Sequence, residues 1–359
     1  MTAADVKAEA RAAGFDLCGV APAAAFPELA FLREWLGRGY AGGMQYLART
    51  ADRRADVRQV LPSARSVVAL GTVYNTDRPY STERADPGEA RIARYAWGDD
   101  YHDVIGRRLD RLVGRMRERL GPGFEARAYV DTGPVQERVF AQHAGLGWIG
   151  KNTCLINPEL GSWLFLAEVV TNAALEPDAP GLDQCGTCTL CLDACPTGAI
   201  VGPQVLDATR CLSYLTIEVK GAVPEGQRAD LGAHVFGCDI CQDVCPWNQT
   251  PATGRSDAPE WQPRPGLDGP RLVDLWRRSD DDLRALVKGS ALTRPGIAGL
   301  RRNLAVALGN SSDPAALAAL EAREGAPTSD PPLVAEHVAW ARERLKDARA
   351  RRPTDRTDT

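Results

Sequence analysis

The cysteines between positions 185 and 245 constrain this chain more than any other feature. They open as Cys185-Gly-Thr-Cys188-Thr-Leu-Cys191-Leu-Asp-Ala-Cys195-Pro196 and close as Cys238-Asp-Ile-Cys241-Gln-Asp-Val-Cys245-Pro246. The first run, C-x2-C-x2-C-x3-C-P, is the spacing in which three thiolates hold one [4Fe–4S] cluster and the fourth ligates another. The second run is the same pattern without its first cysteine, and Cys211, arriving from upstream, is the substitute. Crossed ligation then gives one cluster Cys185, Cys188, Cys191 and Cys245, and the other Cys195, Cys211, Cys238 and Cys241. Zinc usually takes separated C-x2-C pairs around one tetrahedral ion, and this ladder does not divide into such pairs. Pro196 and Pro246 halt the chain just after a ligand, because proline lacks the N–H a helix would need. Two clusters on one crossed ladder lie close together and form a wire. The rest of the chain must supply its terminus.

A disulfide framework belongs to short secreted chains. This chain has 359 residues and 10 cysteines, long enough for two or three domains with full cores. Its start, Met1-Thr-Ala-Ala-Asp-Val-Lys7, lacks the charged and apolar regions of a signal peptide. Cysteines kept reduced for metal point to the cytoplasm. No apolar run approaches the length of a bilayer span, so no membrane association is expected. A net charge of −4 does not advertise nucleic-acid binding.

Ahead of the ladder, residues 1–20 read as a helix and a short strand, with Cys18 as a small core hydrophobe. A helix near Phe26–Arg38, a basic stretch around Arg53-Arg54, and a buried strand at Ser66–Leu70 follow. No G-x-G-x-x-G comes after that strand, so a dinucleotide fingerprint is absent. Arg91–His102 mixes aromatic, polar and turn residues, as a pocket wall does. Asp100-x-His102-x-x-x-Gly106 nearly matches a cobalt-ligating D-x-H-x-x-G loop, but its glycine is one residue late. His102 therefore reads as a polar pocket or capping residue. Residues 104–120 have the spacing of an amphipathic helix. From Arg107 to Arg119 it carries six arginines against Asp110 and Glu118, either a solvated face with paired charges or a phosphate contact.

Phe124–Val130 should be a strand delivering Asp131-Thr-Gly-Pro134 at its mouth, well placed to project a carboxylate into a pocket. Gly145-Leu-Gly-Trp-Ile-Gly-Lys151-Asn152 is too glycine-rich for an ordinary helix and suggests backbone packed on a large ligand. Residues 162–171 complete the domain as a buried strand, and Cys154, outside the ladder, reads as structural. Within the ladder, Arg210–Glu218 is an insert that a plain two-cluster module does not need. Pro and Gly thicken from Pro251 to Pro270, marking a linker. Beyond it lie amphipathic helices at Leu272–Arg277, Asp281–Val287, Leu300–Leu308, Pro314–Arg323 and Leu333–Lys346. The expected fold class is α+β: an N-terminal α/β domain (1–175), a bacterial-ferredoxin-like two-cluster domain (176–255) and a HEAT-like α-helical repeat (256–346). A charged tail (347–359) is expected to be disordered.

Together these pieces resemble one family. Val130-Asp131-Thr-Gly-Pro-Val-Gln-Glu137-Arg138, Gly145–Lys151, the ligand ladder, Ser213-Tyr-Leu-Thr-Ile-Glu218 and Arg302-Asn-Leu-Ala-Val-Ala-Leu-Gly-Asn310 are similar, in order, to the epoxyqueuosine reductases. The resemblance runs to about residue 345. It implies an enzyme that reduces the epoxide of epoxyqueuosine at the wobble position of tRNA to queuosine, with cobalamin and two [4Fe–4S] clusters as cofactors. The N-terminal domain would hold the corrinoid, and the helical repeat would help to grip the anticodon stem-loop. The implied proton donor is Asp131. Arg54, the segment from Arg94 through Ala96 to Tyr101, Lys151, Asn152, Ser213 and Tyr214 would lie near the corrinoid or the modified base. Ala96 stands where some members have a cysteine near the cobalt, so no thiolate ligand is expected there.

Opening an epoxide without replacing its oxygen needs electrons at carbon and a proton at oxygen. Low cluster potentials would reduce cobalt, fed by an external low-potential electron donor, while Asp131 acts as general acid. That role needs a raised pKa, which burial against a corrin face would favour. Basic patches at Arg107–Arg119 and Arg294–Arg302 would meet RNA phosphate despite the net negative charge. Nothing demands more than a monomer. The competing readings are a corrinoid-dependent reductive dehalogenase, an electron-transfer module without its own substrate, and an RNA-binding protein with structural clusters.

Overall fold

Four strands make the main sheet, in the order Leu17–Pro22, Ser66–Val73, Leu164–Thr171 and Ala126–Tyr129. All neighbours in it are antiparallel. The structure is a computed structural model that describes residues 1–250, 253–322 and 331–350. Two units emerge from the packing. The first comprises Met1–Thr82, Gly98–Cys211 and Asp239–Gln262; the second comprises Glu83–Trp97, Leu212–Cys238 and the chain from Pro263 onward.

In the first unit, Ser66–Val73 is buried at every position, as its unbroken apolar run predicts for a central strand. One sheet face presents Ala21, Val67, Ala69 and Val170, covered by Val139 and Phe140 of the helix Glu137–His143. Full burial of a side chain such as Phe140 contributes about 1.5–3 kcal/mol. On the other face, Phe165 stacks on Tyr101 at 4.6 Å between ring centroids, at the start of the helix Tyr101–Leu120. That helix begins three residues before the expected position 104 because Asp100 caps it, accepting the His102 N–H at 3.1 Å. The domain expected as α/β thus has an antiparallel main sheet, because Leu164–Thr171 inserts between Ser66–Val73 and Ala126–Tyr129, two strands of like direction, and runs against both.

Most of the arginine-rich helix is spoken for. Arg108 is buried and bonds Gly14 O and Glu260; Arg111 donates to Ala13 O. Arg115 pairs with Glu118, and Arg119 with Asp5 and Glu9. Arg107 and Arg117 remain exposed. The stretch expected as a linker also packs: Trp261 is buried with its ring 5.0 Å from that of Phe165.

In the second unit, the segment expected as a HEAT-like repeat gathers round one hub, the helix Gly296–Asn310, which is buried from Gly299 to Gly309. Helices Leu272–Arg277, Asp280–Val287, Ala316–Glu321 and Pro332–Ala350 pack on it. The Leu212–Ile217 helix and the His234–Phe236 strand join this hub rather than the ferredoxin-like segment expected to contain them. Two buried side chains explain why. Arg302 donates to the carbonyls of Leu215, Val219 and Gly221, and Asn303 donates to those of Thr216 and Val235. Arg301 is likewise internal, bonded to Trp276 O and Asp280, and Arg294 pairs with Glu218. Arg301 and Arg302 are therefore scaffold, and the phosphate-facing role expected for these two is corrected; Arg294 keeps a half-exposed side chain beside Glu218. Asp347–Ala350, expected in the disordered tail, is the last turn of the final helix; positions 351–359 lie outside the described residues, as does Arg323. Among the described residues, no helix is long and apolar enough to cross a membrane.

Candidate active site and cluster loops

At the mouth of Ala126–Tyr129 the chain turns sharply through Asp131, whose φ of +57° is uncommon for a residue with a side chain. Two bonds hold it there. The Thr132 N–H reaches back to Val130 O at 2.6 Å, and the Asp131 N–H donates to Glu137 Oε1 at 2.6 Å. Gly133 completes the turn against Tyr129: a Cβ there would stand 2.3 Å from the ring.

The Asp131 side chain is 62 % exposed. Its Oδ2 accepts from Tyr101 Oη at 2.8 Å and lies 3.6 Å from His102 Nε2. His102 Nδ1 is 2.7 Å from Asp100 Oδ1, so the capping residue also orients the imidazole; of the polar or capping roles expected for His102 the structure shows the polar one, since the cap is Asp100. Asp100 first, then Asp131, push His102 up to about 9. Crowding pushes the Asp131 carboxyl upward, but the bonds from His102 and Tyr101 outweigh it and hold the group below the usual carboxylate range. The raised pKa expected for Asp131 does not obtain in this arrangement.

Beneath the turn lie two further carboxyls. Burial, then the Asp131 charge, pushes Glu137 up to about 7. Glu168, 1 % exposed, faces Glu137 and is raised well above its ordinary value, chiefly by burial. Arg54 is the cation near both; it donates to Val135 O at 2.8 Å. Sequence reasoning gave Glu168 no role. The signal was there: a lone acid in the apolar run Leu164-Phe-Leu-Ala-Glu168-Val-Val-Thr171.

Among the described residues no cysteine is in a disulfide, and no three Cys, His, Asp or Glu side chains stand close enough to hold a single metal ion. Cys245 nonetheless faces Cys185, Cys191 and Cys154, and Cys191 faces Cys185 and Cys188. Cys245 and Cys185 pack with Trp148 and Trp247, and Trp148 Nε1 donates to Cys185 Sγ at 3.4 Å. Cys195 accepts the Ala199 N–H at 3.2 Å, Cys241 lies beside Cys154, and Cys211 follows the Ala208–Arg210 turn. Cys238 ends the second unit's share of the ladder.

The glycine-rich loop has a different cause from the one expected. A Cβ on Gly147 would stand 2.0 Å from Ile156 O, so this glycine answers to the neighbouring strand and not to a ligand. The side chains that follow brace the cluster loops: Lys151 Nζ donates to Gly186 O and Cys188 O, and Asn152 Nδ2 to Cys241 O. In the second unit, Arg94 and Ala96 lie buried on a turn just after Ala93, whose N–H donates to Phe236 O. The helix of Ser213 and Tyr214 bonds the same strand end through Thr216 Oγ1 and the Gly237 N–H.

Comparison with known proteins gives this geometry a context. A family model described as a 4Fe-4S double cluster binding domain matches residues 184–248, and one described as epoxyqueuosine reductase QueG, DUF1730 matches residues 54–132. An epoxyqueuosine reductase of Xanthomonas campestris pv. campestris is 42% identical over 344 residues, 94% of this chain and 95% of the relative. One from Pseudomonas aeruginosa is 43% identical over 344 residues, 94% and 93% of the two chains. A crystal structure of epoxyqueuosine reductase with an epoxyqueuosine-modified tRNA-Tyr stem loop superposes with a TM-score of 0.85 at 32% identity, covering 98% of this chain and 94% of that one. Another, from Bacillus subtilis, was solved with its aspartate catalytic loop swung out of the active site (TM-score 0.81, 30% identity, 98% and 95% covered). Similarity of this extent, carried through the cluster-binding segment and the sheet alike, makes the chain a member of the epoxyqueuosine reductase family.

Proposed function

We propose that this chain reduces the epoxide of epoxyqueuosine at the wobble position of tRNA to queuosine, using two [4Fe–4S] clusters and cobalamin, with Asp131 as proton donor. The Asp131 turn carries the reading. An acid fixed in a strained conformation at a strand mouth, with an aromatic hydroxyl and an imidazole on its carboxylate, is a built arrangement. Replacing an epoxide by a carbon–carbon double bond consumes two electrons and two protons, and the oxygen leaves as water.

The residues suit the cofactors. The grouping of Cys185, Cys188, Cys191 and Cys245 supports the crossed ligation, with Cys195, Cys211, Cys238 and Cys241 assigned to the second cluster. The exposed side chain of Asp131 is open to a ligand placed against it. Arg54 and Tyr101 adjoin it, Lys151 and Asn152 would contribute backbone, and Arg94, Ala96, Ser213 and Tyr214 carry over from the family resemblance. When bound, the clusters would pass single electrons at low potential to cobalamin, which would deliver them at carbon. Asp131 would give its proton to the epoxide oxygen, with Tyr101 and His102 fixing its direction. The direct test is nucleoside analysis of epoxide-bearing tRNA after incubation with reduced, cobalamin-loaded protein; unchanged epoxyqueuosine would overturn the reading.

Two further outcomes are expected. Cys245→Ser should lower iron and acid-labile sulfide by about half, one cube of two; full iron content would remove Cys245 from the ladder. Binding of the anticodon stem-loop should weaken roughly 100-fold between 50 and 200 mM salt if about four phosphates are contacted. Salt-independent binding would count against an RNA substrate.

A further inference from the structure

We propose that Glu137 and Glu168 are positioning residues for the Asp131 turn: a buried carboxyl pair sharing a proton, in which Glu137 latches the Asp131 backbone and protonated Glu168 steadies Glu137. The inference rests on the proposed role of Asp131 and adds the device that holds it.

Geometry leads to it. Glu168 sits on the helix-covered sheet face, opposite Ala69 on one neighbouring strand and Tyr129 on the other. Neither of its oxygens has a well-formed hydrogen bond among the described residues, although it faces Glu137. An ionised carboxylate so placed is very costly, and two adjacent ones cannot both ionise near neutrality. The groups facing Glu137 are Asp131, Arg138, Arg54 and Glu168; those facing Glu168 are Glu137, Asp131 and Arg54. His102 answers the Asp131 charge, and of the two buried carboxyls Arg138 reaches only Glu137; Arg54, partly buried and already donating to Val135 O and Thr50 Oγ1, is the cation that both buried carboxyls share. Glu168 therefore keeps its proton and can donate it to Glu137. Glu137 in turn accepts the Asp131 N–H at 2.6 Å, the bond that fixes a left-handed residue costing about 1–3 kcal/mol. Tyr129, paired with Glu168 across the sheet, also carries the ring on which the turn is packed, so the pair and the turn share one support.

Two measurements on the holoprotein test this. Infrared spectroscopy at neutral pH should show a protonated carboxyl C=O band that survives in Asp131→Asn and is absent from Glu168→Gln. A band unchanged by Glu168→Gln, or absent from the wild type, overturns the proposal whether or not the protein reduces an epoxide. In turnover, Glu168→Leu and Glu137→Ala should lower kcat on the order of 10²-fold, the cost of a misplaced group, with KM for tRNA unchanged. Glu168→Gln, which keeps a neutral donor, should recover most of that loss relative to Glu168→Leu. Equal kcat in Glu168→Leu and the wild type would overturn the positioning role while leaving epoxide reduction intact, and an inactive wild type would instead sink the reaction assignment.

Discussion

Asp131→Asn is expected to slow epoxide reduction by about 10²- to 10⁴-fold, the usual contribution of a general acid, with iron content, cobalamin binding and stem-loop affinity unchanged. The substitution is close to isosteric, and asparagine tolerates the left-handed region that Asp131 occupies at φ +57°. The Glu137 latch binds the backbone of residue 131, so it survives, and Tyr101 keeps a carbonyl to donate to. What disappears is the carboxyl through which the His102–Asp131 pair would hand its proton to oxygen. Electrons would still reach carbon, but the departing oxygen would lose that route. Normal turnover in this variant would remove Asp131 from the chemistry.

The same pair predicts a pH dependence. His102 is raised to about 9 and Asp131 lowered, so the free protein near neutrality holds imidazolium against carboxylate at 3.6 Å. The proton needed at oxygen is present on this pair as long as His102 is charged. The rate should therefore fall as pH rises through about 9, and His102→Gln should remove that limb while lowering the rate at neutral pH. An alkaline limb unchanged in His102→Gln would assign the proton elsewhere.

How much of this was legible beforehand depended on whether a residue's role is local. The double-cluster segment could be read because cluster ligation imposes fixed spacings, in agreement with the family model over residues 184–248. The Asp131 turn could be read because an acid before Gly-Pro at a strand end projects outward; the proton-donor role proposed for Asp131 comes from the family resemblance. The helix from Tyr101 was anticipated from its apolar spacing, and its start was missed only because Asp100 caps it. Glu168 was passed over because its meaning lies in what it faces across the sheet, which no spacing encodes. Glycines 145–150 misled for a related reason: in sequence, a backbone approaching a ligand looks the same as one approaching a neighbouring strand, and for Gly147 the neighbour is Ile156. The arginines failed most instructively. Positive charge near a helix start suggests phosphate, yet five guanidinium donors in a rigid fork suit a cluster of carbonyls equally well.

Arg302 is where that distinction has the largest consequence. It is 0% exposed, with Nη1 2.7 Å from both Val219 O and Gly221 O, and Nη2 3.0 Å from Leu215 O. Nε and Nη2 both donate to Asn303 Oδ1, and burial alone lowers its pKa to about 10. Arg302→Met fills a similar volume but leaves the buried Leu215 carbonyl and the Asn303 oxygen without these donors, and the partly exposed Val219 and Gly221 carbonyls with water in their place. At about 1–3 kcal/mol for each buried orphaned group, the loss should be at least about 2 kcal/mol, seen as a lower urea midpoint. Arg302→Lys should recover little, because one ammonium cannot reach acceptors arranged for a planar fork. Below the unfolding transition, both variants should bind the stem-loop with the wild-type salt dependence, because no phosphate contact has been removed. The opposite result, wild-type stability with a shallower salt slope, would return Arg302 to the RNA surface and show that its carbonyl cage is not what holds the Leu212–Cys238 segment on the hub helix.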